Sequence, residues 1–471
     1  MAEALTAATD AFLGDLWPLA AEGVEDVSVL ALGGYGRREL AFGSDLDVVI
    51  EVGEGMDTSS SLRESLERFI AWMRVPRVKL SHAVRTPSQT MEAFADDFRT
   101  PVSYLDARIL LGTPRVTAED ATRALRADDQ GCAFVDLLLS GYRARLDRFG
   151  QTIYLLEPEV KSGKGGLRDL HVIRWAGLVR AGADVGREPI ESLGWTTRDA
   201  AAYREGHDWL LEVREMLHAL HGRKHDRLHF RDQERLAQLL VEKAPSVGVQ
   251  VETLMRRHYQ VTRAIAKLTE RSLRRWQRCG TPTDTRIDEV FRIGDGTLFM
   301  AAEEPSTTEV FAALRLASEH DALLDPLAEE RIEAAANSWG THVRDDPANG
   351  AALRHLLTDL STSPRTSTRL LELGVLSCFV PEFEPVLCHV QHDVYHVYTT
   401  DVHLVHCLES ARALLQNEGS AAEKWPFFAE VASAIEDREV FLIAVLFHDI
   451  GKNRGGGHAE KGAQMMNDIG P

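Results

Sequence analysis

The sequence predicts an α+β fold, with a small mixed-sheet domain near the N-terminus and mainly helical structure after it. Two strand-like apolar runs, 27–32 and 46–52, flank a glycine turn, and from about residue 118 the apolar spacing becomes helical. At 471 residues the chain is also too long for a single hydrophobic core. Four segments are expected: 1–117 for the sheet domain, 118–280 for a helical domain beside it, 281–385 for a hairpin plus helical connector, and 386–471 for a histidine-rich, all-helical end.

Each element has its own pattern. Leu5, Phe12, Leu13, Leu16 and Leu19 predict a helix over 5–20. Val27 to Leu32 is a compact apolar strand that ends in Gly33-Gly34-Tyr35-Gly36, and 46–52 is a second strand. Leu62, Leu66, Phe69, Ile70 and Met73 fall on one face of a helix over 61–74, and 78–80 with 83–85 supply a further strand. Long amphipathic helices are expected at 200–222 and 249–277. A hairpin with Gly294-Asp295-Gly296 at its turn is expected over 287–298, and helices resume from 307.

Composition excludes several classes. No window approaches the ~18 apolar residues of a membrane helix, so no membrane partner is expected. The N-terminus lacks the basic and apolar regions of a secretion signal. The five cysteines (Cys132, Cys279, Cys378, Cys388, Cys407) form no CxxC pair and no disulfide framework, which points to a cytoplasmic location without bridges. A net charge of −19 argues against a nucleic-acid partner.

The chemical signal lies at the glycine turn. Glycines after a strand let backbone N–H groups approach a phosphate chain. Ser44-Asp45-Leu46-Asp47 follows, and two aspartates spaced by two at a strand start emerge on the same face. Such a pair suits Mg²⁺ bridging triphosphate oxygens. Asp45 and Asp47 are therefore the candidate catalytic residues and metal ligands. Gly33, Gly34, Arg37 and Ser44 are the candidate nucleotide contacts. The loop from Lys161 to Asp169 is a second candidate contact, with a merely structural glycine-rich helix start as its alternative.

Gly-Gly, ten residues and Asp-apolar-Asp resemble the DNA-polymerase-β-like nucleotidyltransferases. That resemblance implies a third carboxylate near 80–85, where none stands; Asp106 is a weak candidate, with a helix-surface role the leading alternative. Further stretches resemble the bacterial protein-PII uridylyltransferase/uridylyl-removing enzymes in order. They are Glu157 to Lys161 with Gly165 to Leu170, then Arg223 to Leu236 with Asp226 and Gln233, then Met255 to Tyr259, and finally Tyr395 to Thr399 with Phe447 to Lys452. The resemblance implies transfer of UMP from UTP to a tyrosine of the PII signalling protein. It also implies an HD phosphohydrolase domain for UMP removal, which uses a divalent metal such as Mn²⁺.

In that domain the candidate ligands are His403, His448, Asp449 and His458, while His389, His392, His396 and His406 are weaker and most of them read as structural. The chain stops at Pro471, where the resemblance implies more HD helices and two ACT domains. An incomplete HD site with no glutamine response is the expectation. Two alternatives stand beside this reading: a relative of the glutamine-synthetase adenylyltransferases, and a non-catalytic regulator that binds PII or nucleotide.

Overall fold

A computed structural model of the chain describes residues 2–21, 24–55, 60–74, 79–126, 131–181, 195, 197–242, 244–277, 284–389, 399–416, 425–452 and 457–469. It divides into two compact units, Met1–Cys279 and Gly280–Pro471.

The first unit opens with α1 (Ala2–Ala20), β1 (Val27–Ala31), the one-turn helix α2 (Gly33–Gly36) and β2 (Leu46–Val52). Next come α3 (Ser60–Arg74), β3 (Leu80–Arg85), α4 (Pro87–Asp96), α5 (Arg99–Tyr104) and β4 (Arg108–Leu111). The sheet order is β3-β2-β1-β4, with β2 and β3 parallel and the other pairs antiparallel. Of the two apolar pieces expected at 78–80 and 83–85, the described part forms one strand, Leu80–Arg85, and β4, too short to show a pattern, is added at the far edge.

Alternation along β2 decides what each face does. Leu46, Val48, Ile50 and Val52 bury against Leu13 and Trp17 of α1 and Leu62, Phe69 and Met73 of α3. Each such side chain contributes roughly 1.5–3 kcal/mol when fully buried. Trp17 and Phe69 meet edge to face at 5.2 Å. Asp47 necessarily points to the opposite face.

That face belongs to the helical part of the same unit: α6 (Ala118–Arg126), α7 (Cys132–Phe149), α8 (Leu167–Ala181), α9 (Thr197–His221), α10 (Phe230–Leu240) and α11 (Val247–Gln277). The segment before α8 is tied to the one before α10 by Val160 N–H to Asp226 O (2.8 Å) and Leu228 N–H to Pro158 O (2.9 Å). Cys132 is disulfide-bonded, a correction to the expectation of no bridge, while Cys378, Cys388 and Cys407 are in no disulfide. Linear spacing carries no sign of a pair that only the tertiary fold brings together.

The second unit contains a four-stranded sheet, β5 (Asp284–Arg286), β6 (Phe291–Gly294), β7 (Thr297–Met300) and β8 (Leu323–Leu324), in sequential order. The expected hairpin is β6–β7, turned at Asp295 and Gly296, both at positive φ. The rest of this unit is helical around one apolar core. Among the described residues no helix is long and apolar enough to cross a membrane.

Candidate functional site

A cavity of about 520 Å³ opens between the sheet and the helical part of the first unit. Its lining includes all six residues singled out around the glycine turn: Gly33, Gly34, Arg37, Ser44, Asp45 and Asp47. Gly33 has φ +53°, and a Cβ there would meet Asp47 Oδ2 at 3.1 Å. The carboxylate thus sits against the turn, where only glycine combines that backbone with so little bulk. Ser44 accepts the Ala41 N–H at 3.0 Å, which tightens the loop leading into Asp45. Asp45 is exposed and Asp47 half-buried. Burial raises the Asp47 carboxyl above its usual range, with Asp45 adding to the rise and the Ser81 hydroxyl opposing it.

Ser81 is the β3 residue in register with Asp47. The position beside Asp47 where a third carboxylate is expected is thus held by a hydroxyl. Asp106 is no helix-surface residue. It lies buried in the turn before β4, with Arg37 Nη1 at 2.5 Å and Trp175 Nε1 donating at 2.8 Å. Arg37 also donates from Nε to Glu39 at 2.9 Å, so its charge is matched by two carboxylates. Glu39 in turn meets His171 at 2.9 Å and His207 at 3.1 Å. Burial alone would raise the Glu39 carboxyl, but Arg37 and His171 hold it well below the usual range. His171 is pushed down to about 3, chiefly by burial and then by Arg37, and stays neutral.

The opposite wall is cationic. Lys161, Arg168, Arg214 and Lys224 line the cavity. Arg214 is bound to Asp226 at 2.9 Å, whereas Lys161, Arg168 and Lys224 form no ion pair among the described residues. Burial, with Arg214 and Arg168 nearby, lowers Lys161 to about 8. Burial and the neighbouring Arg37 and Arg145 lower Arg168 to about 10. Three unpaired cations therefore face two carboxylates across a space of nucleotide size. The second candidate loop divides its labour: Lys161 and Arg168 reach the cavity, while Asp169 is fully buried, binds Arg145 and accepts the Gly165 N–H at 2.8 Å.

In the second unit, His403 lies on the helix Thr400–Gln416, and His448 and Asp449 directly follow the helix Arg438–Phe447. Asp449 Oδ2 stands 3.3 Å from His448 Nε2, 3.8 Å from His403 Nε2 and 2.8 Å from Lys452 Nζ. His448 Nδ1 donates to Val445 O at 2.8 Å, which leaves Nε2 as the acceptor facing His403 and Asp449. Cys407, one helical turn from His403, joins His403 and His448 in a set whose donor atoms all lie within 4.8 Å of one another. His458 starts the helix His458–Ile469, is exposed, and is outside that set. His389 is buried, with Nδ1 3.0 Å from Thr400 Oγ1. His392 and His396 lie outside the described residues.

A family model described as GlnD PII-uridylyltransferase matches residues 133–273, the helices that carry the cationic wall. The chain is similar to bifunctional uridylyltransferase/uridylyl-removing enzymes along nearly all its length. That of Methylococcus capsulatus is 29% identical over 98% of this chain and 54% of the relative. That of Xanthomonas campestris pv. campestris is 32% identical over 97% and 53%, and that of Azotobacter vinelandii 29% over 93% and 50%. The chain spans about half the length of the curated relatives it matches.

Within the family frame, two stretches read from sequence turn out to be supports. Gln233 Nε2 donates to Leu156 O at 2.6 Å, and Tyr259 Oη to Leu155 O at 2.8 Å, so both brace the segment leading to Lys161. Arg214 and Lys224 were the missed wall residues. Arg214 sits in a long helix read only for its apolar stripe, and Lys224 in a stretch singled out for Asp226, where a lone lysine carries no pattern. Cys407 was missed too, although its i, i+4 spacing from His403 was there to be read.

Proposed function

We propose that the first unit is a nucleotidyltransferase that moves UMP from UTP to a tyrosine of the PII protein. The observation that carries this is the cavity in which unpaired Lys161, Arg168 and Lys224 face Asp45 and Asp47. A triphosphate satisfies the cations, and Mg²⁺ satisfies the carboxylates. The donor set fits that ion: two carboxylates with a serine hydroxyl beside one of them. Mg²⁺, when bound there, supplies charge neutralisation at the phosphates.

The chain's own groups then do the positioning. Lys161, Arg168 and Lys224 hold the phosphates, and the glycine turn brings backbone close to them. Phe98, Val102 and Leu138 give the cavity an apolar flank for the base. Such placement lets the tyrosine oxygen attack the α-phosphorus in line while pyrophosphate leaves. Arg37, already bound to Glu39 and Asp106, orients the wall without adding free charge. Support for uridylyl over adenylyl transfer, and for PII as target, comes from the family and the relatives' names. Incubating the chain with PII, Mg²⁺ and either UTP or ATP tests it: a uridylyl mass increment on PII, from UTP alone, is expected. Labelling by ATP instead would favour the adenylyltransferase reading, and none by either the non-catalytic one.

For the second unit we propose metal-dependent removal of the same group, favoured by the His448 orientation set by Val445. His403 and His448 hold the ion with Asp449. With Cys407 beside them, the donors suit a softer ion than Mn²⁺.

A further inference from the structure

The segment between α9 and α10 carries a cluster that neither proposed reaction uses. His221 ends α9, His225 lies in the connecting segment, and Asp232 is in the first turn of α10. One donor atom from each lies within 4.8 Å of the other two. His221 Nε2 is 3.1 Å from Asp232 Oδ1, an ordinary hydrogen bond by itself. The remainder is less ordinary. Asp232 Oδ2 and His225 Nε2 are both buried without a hydrogen-bond partner, 3.7 Å apart, and Asp232 is 3% exposed. Buried polar atoms in this state need an explanation, and a bound ion is one that uses both. The His221 and His225 rings lie 3.9 Å apart, so both imidazoles border the same small space.

We propose that His221, His225 and Asp232 form a third metal site, one that takes a borderline divalent cation of the zinc class. Two imidazoles and one carboxylate match that ion better than Mg²⁺, and three protein donors leave a position for water. His229, beside His225 at 5.2 Å between rings, is held by Glu157 at 3.1 Å and is not needed as a ligand. The position gives the site a consequence. An ion there ties the end of α9 to the start of α10, and so fixes the Arg223-Lys224 segment that sends Lys224 into the cavity. The binding itself does not depend on what the cavity does.

The test is Zn²⁺ titration of the full chain in excess Mg²⁺, with His403→Ala and His448→Ala introduced to silence the other nitrogen-donor site. One saturable equivalent is expected. His225→Ala and Asp232→Asn should each weaken it at least about tenfold, the low end of what loss of even an outer-shell partner costs. Zn²⁺ should also slow trypsin cleavage after Arg223 and Lys224, and His225→Gln, a milder change, should abolish that protection while the far-UV spectrum is retained. Absence of saturable binding in the silenced chain would overturn the proposal. So would binding left unchanged by His225→Ala or His225→Gln.

Discussion

Lys161 is the residue whose chemistry is most exposed to measurement. Its folded pKa of about 8 lies below the ordinary 10.5, because burial and the neighbouring arginines disfavour the charge. The stability linked to this group is therefore present above 10.5 and is lost as pH falls through about 8. Phosphate binding runs the other way, since it needs the charged form. Apparent UTP affinity is expected to fall as pH rises past about 8, and Lys161→Arg should flatten that fall; an unchanged profile would remove Lys161 from the phosphate site. Glu39 is a positioning residue of the same wall. Glu39→Gln leaves Arg37 and His171 facing a neutral group in a buried setting, where breaking such pairs costs about 3–5 kcal/mol. Denaturant unfolding measures that loss, and a change under about 1 kcal/mol would show the network to be dispensable.

Among the elements, the glycine-rich start of α8 is the most demanding. Gly165 has φ +73°, and a Cβ there would lie 2.2 Å from Thr262 O on α11. Gly165→Ala should therefore cost about 1–3 kcal/mol and displace Lys161 and Arg168 together, which raises KM for UTP along with the loss of stability. A KM left at the unsubstituted level would mean that the two cations do not depend on this turn. The same region shows what the sequence could and could not disclose. Asp45 and Asp47 were legible because strand alternation and a short glycine turn are local, and the observed β2 places Asp47 off the core face as the period of two requires. Helices such as α3 and α11 were legible from their apolar stripe. Lys224 and the burial of Asp106 were not, because each depends on contacts between segments more than sixty residues apart in the chain. Asp106 illustrates the point: its partners Arg37 and Trp175 come from opposite sides of the cavity, and nothing near residue 106 signals either.

For the whole molecule, transfer and removal are proposed in separate compact units, Met1–Cys279 and Gly280–Pro471. His448→Ala is expected to abolish release of UMP from uridylylated PII while leaving transfer within about twofold, since uncoupled sites act additively. Equal loss of both activities would show one centre serving both. The central claim, transfer at the Asp45–Asp47 cavity, is tested most directly by the intact mass of PII after incubation with UTP, Mg²⁺ and the chain or its Asp47→Ala variant. A uridylyl increment is expected with the unsubstituted chain, and a rate at least about 10²–10³-fold lower with Asp47→Ala, whose fold, checked by circular dichroism, stays intact. Undiminished labelling by the folded Asp47→Ala chain would contradict it.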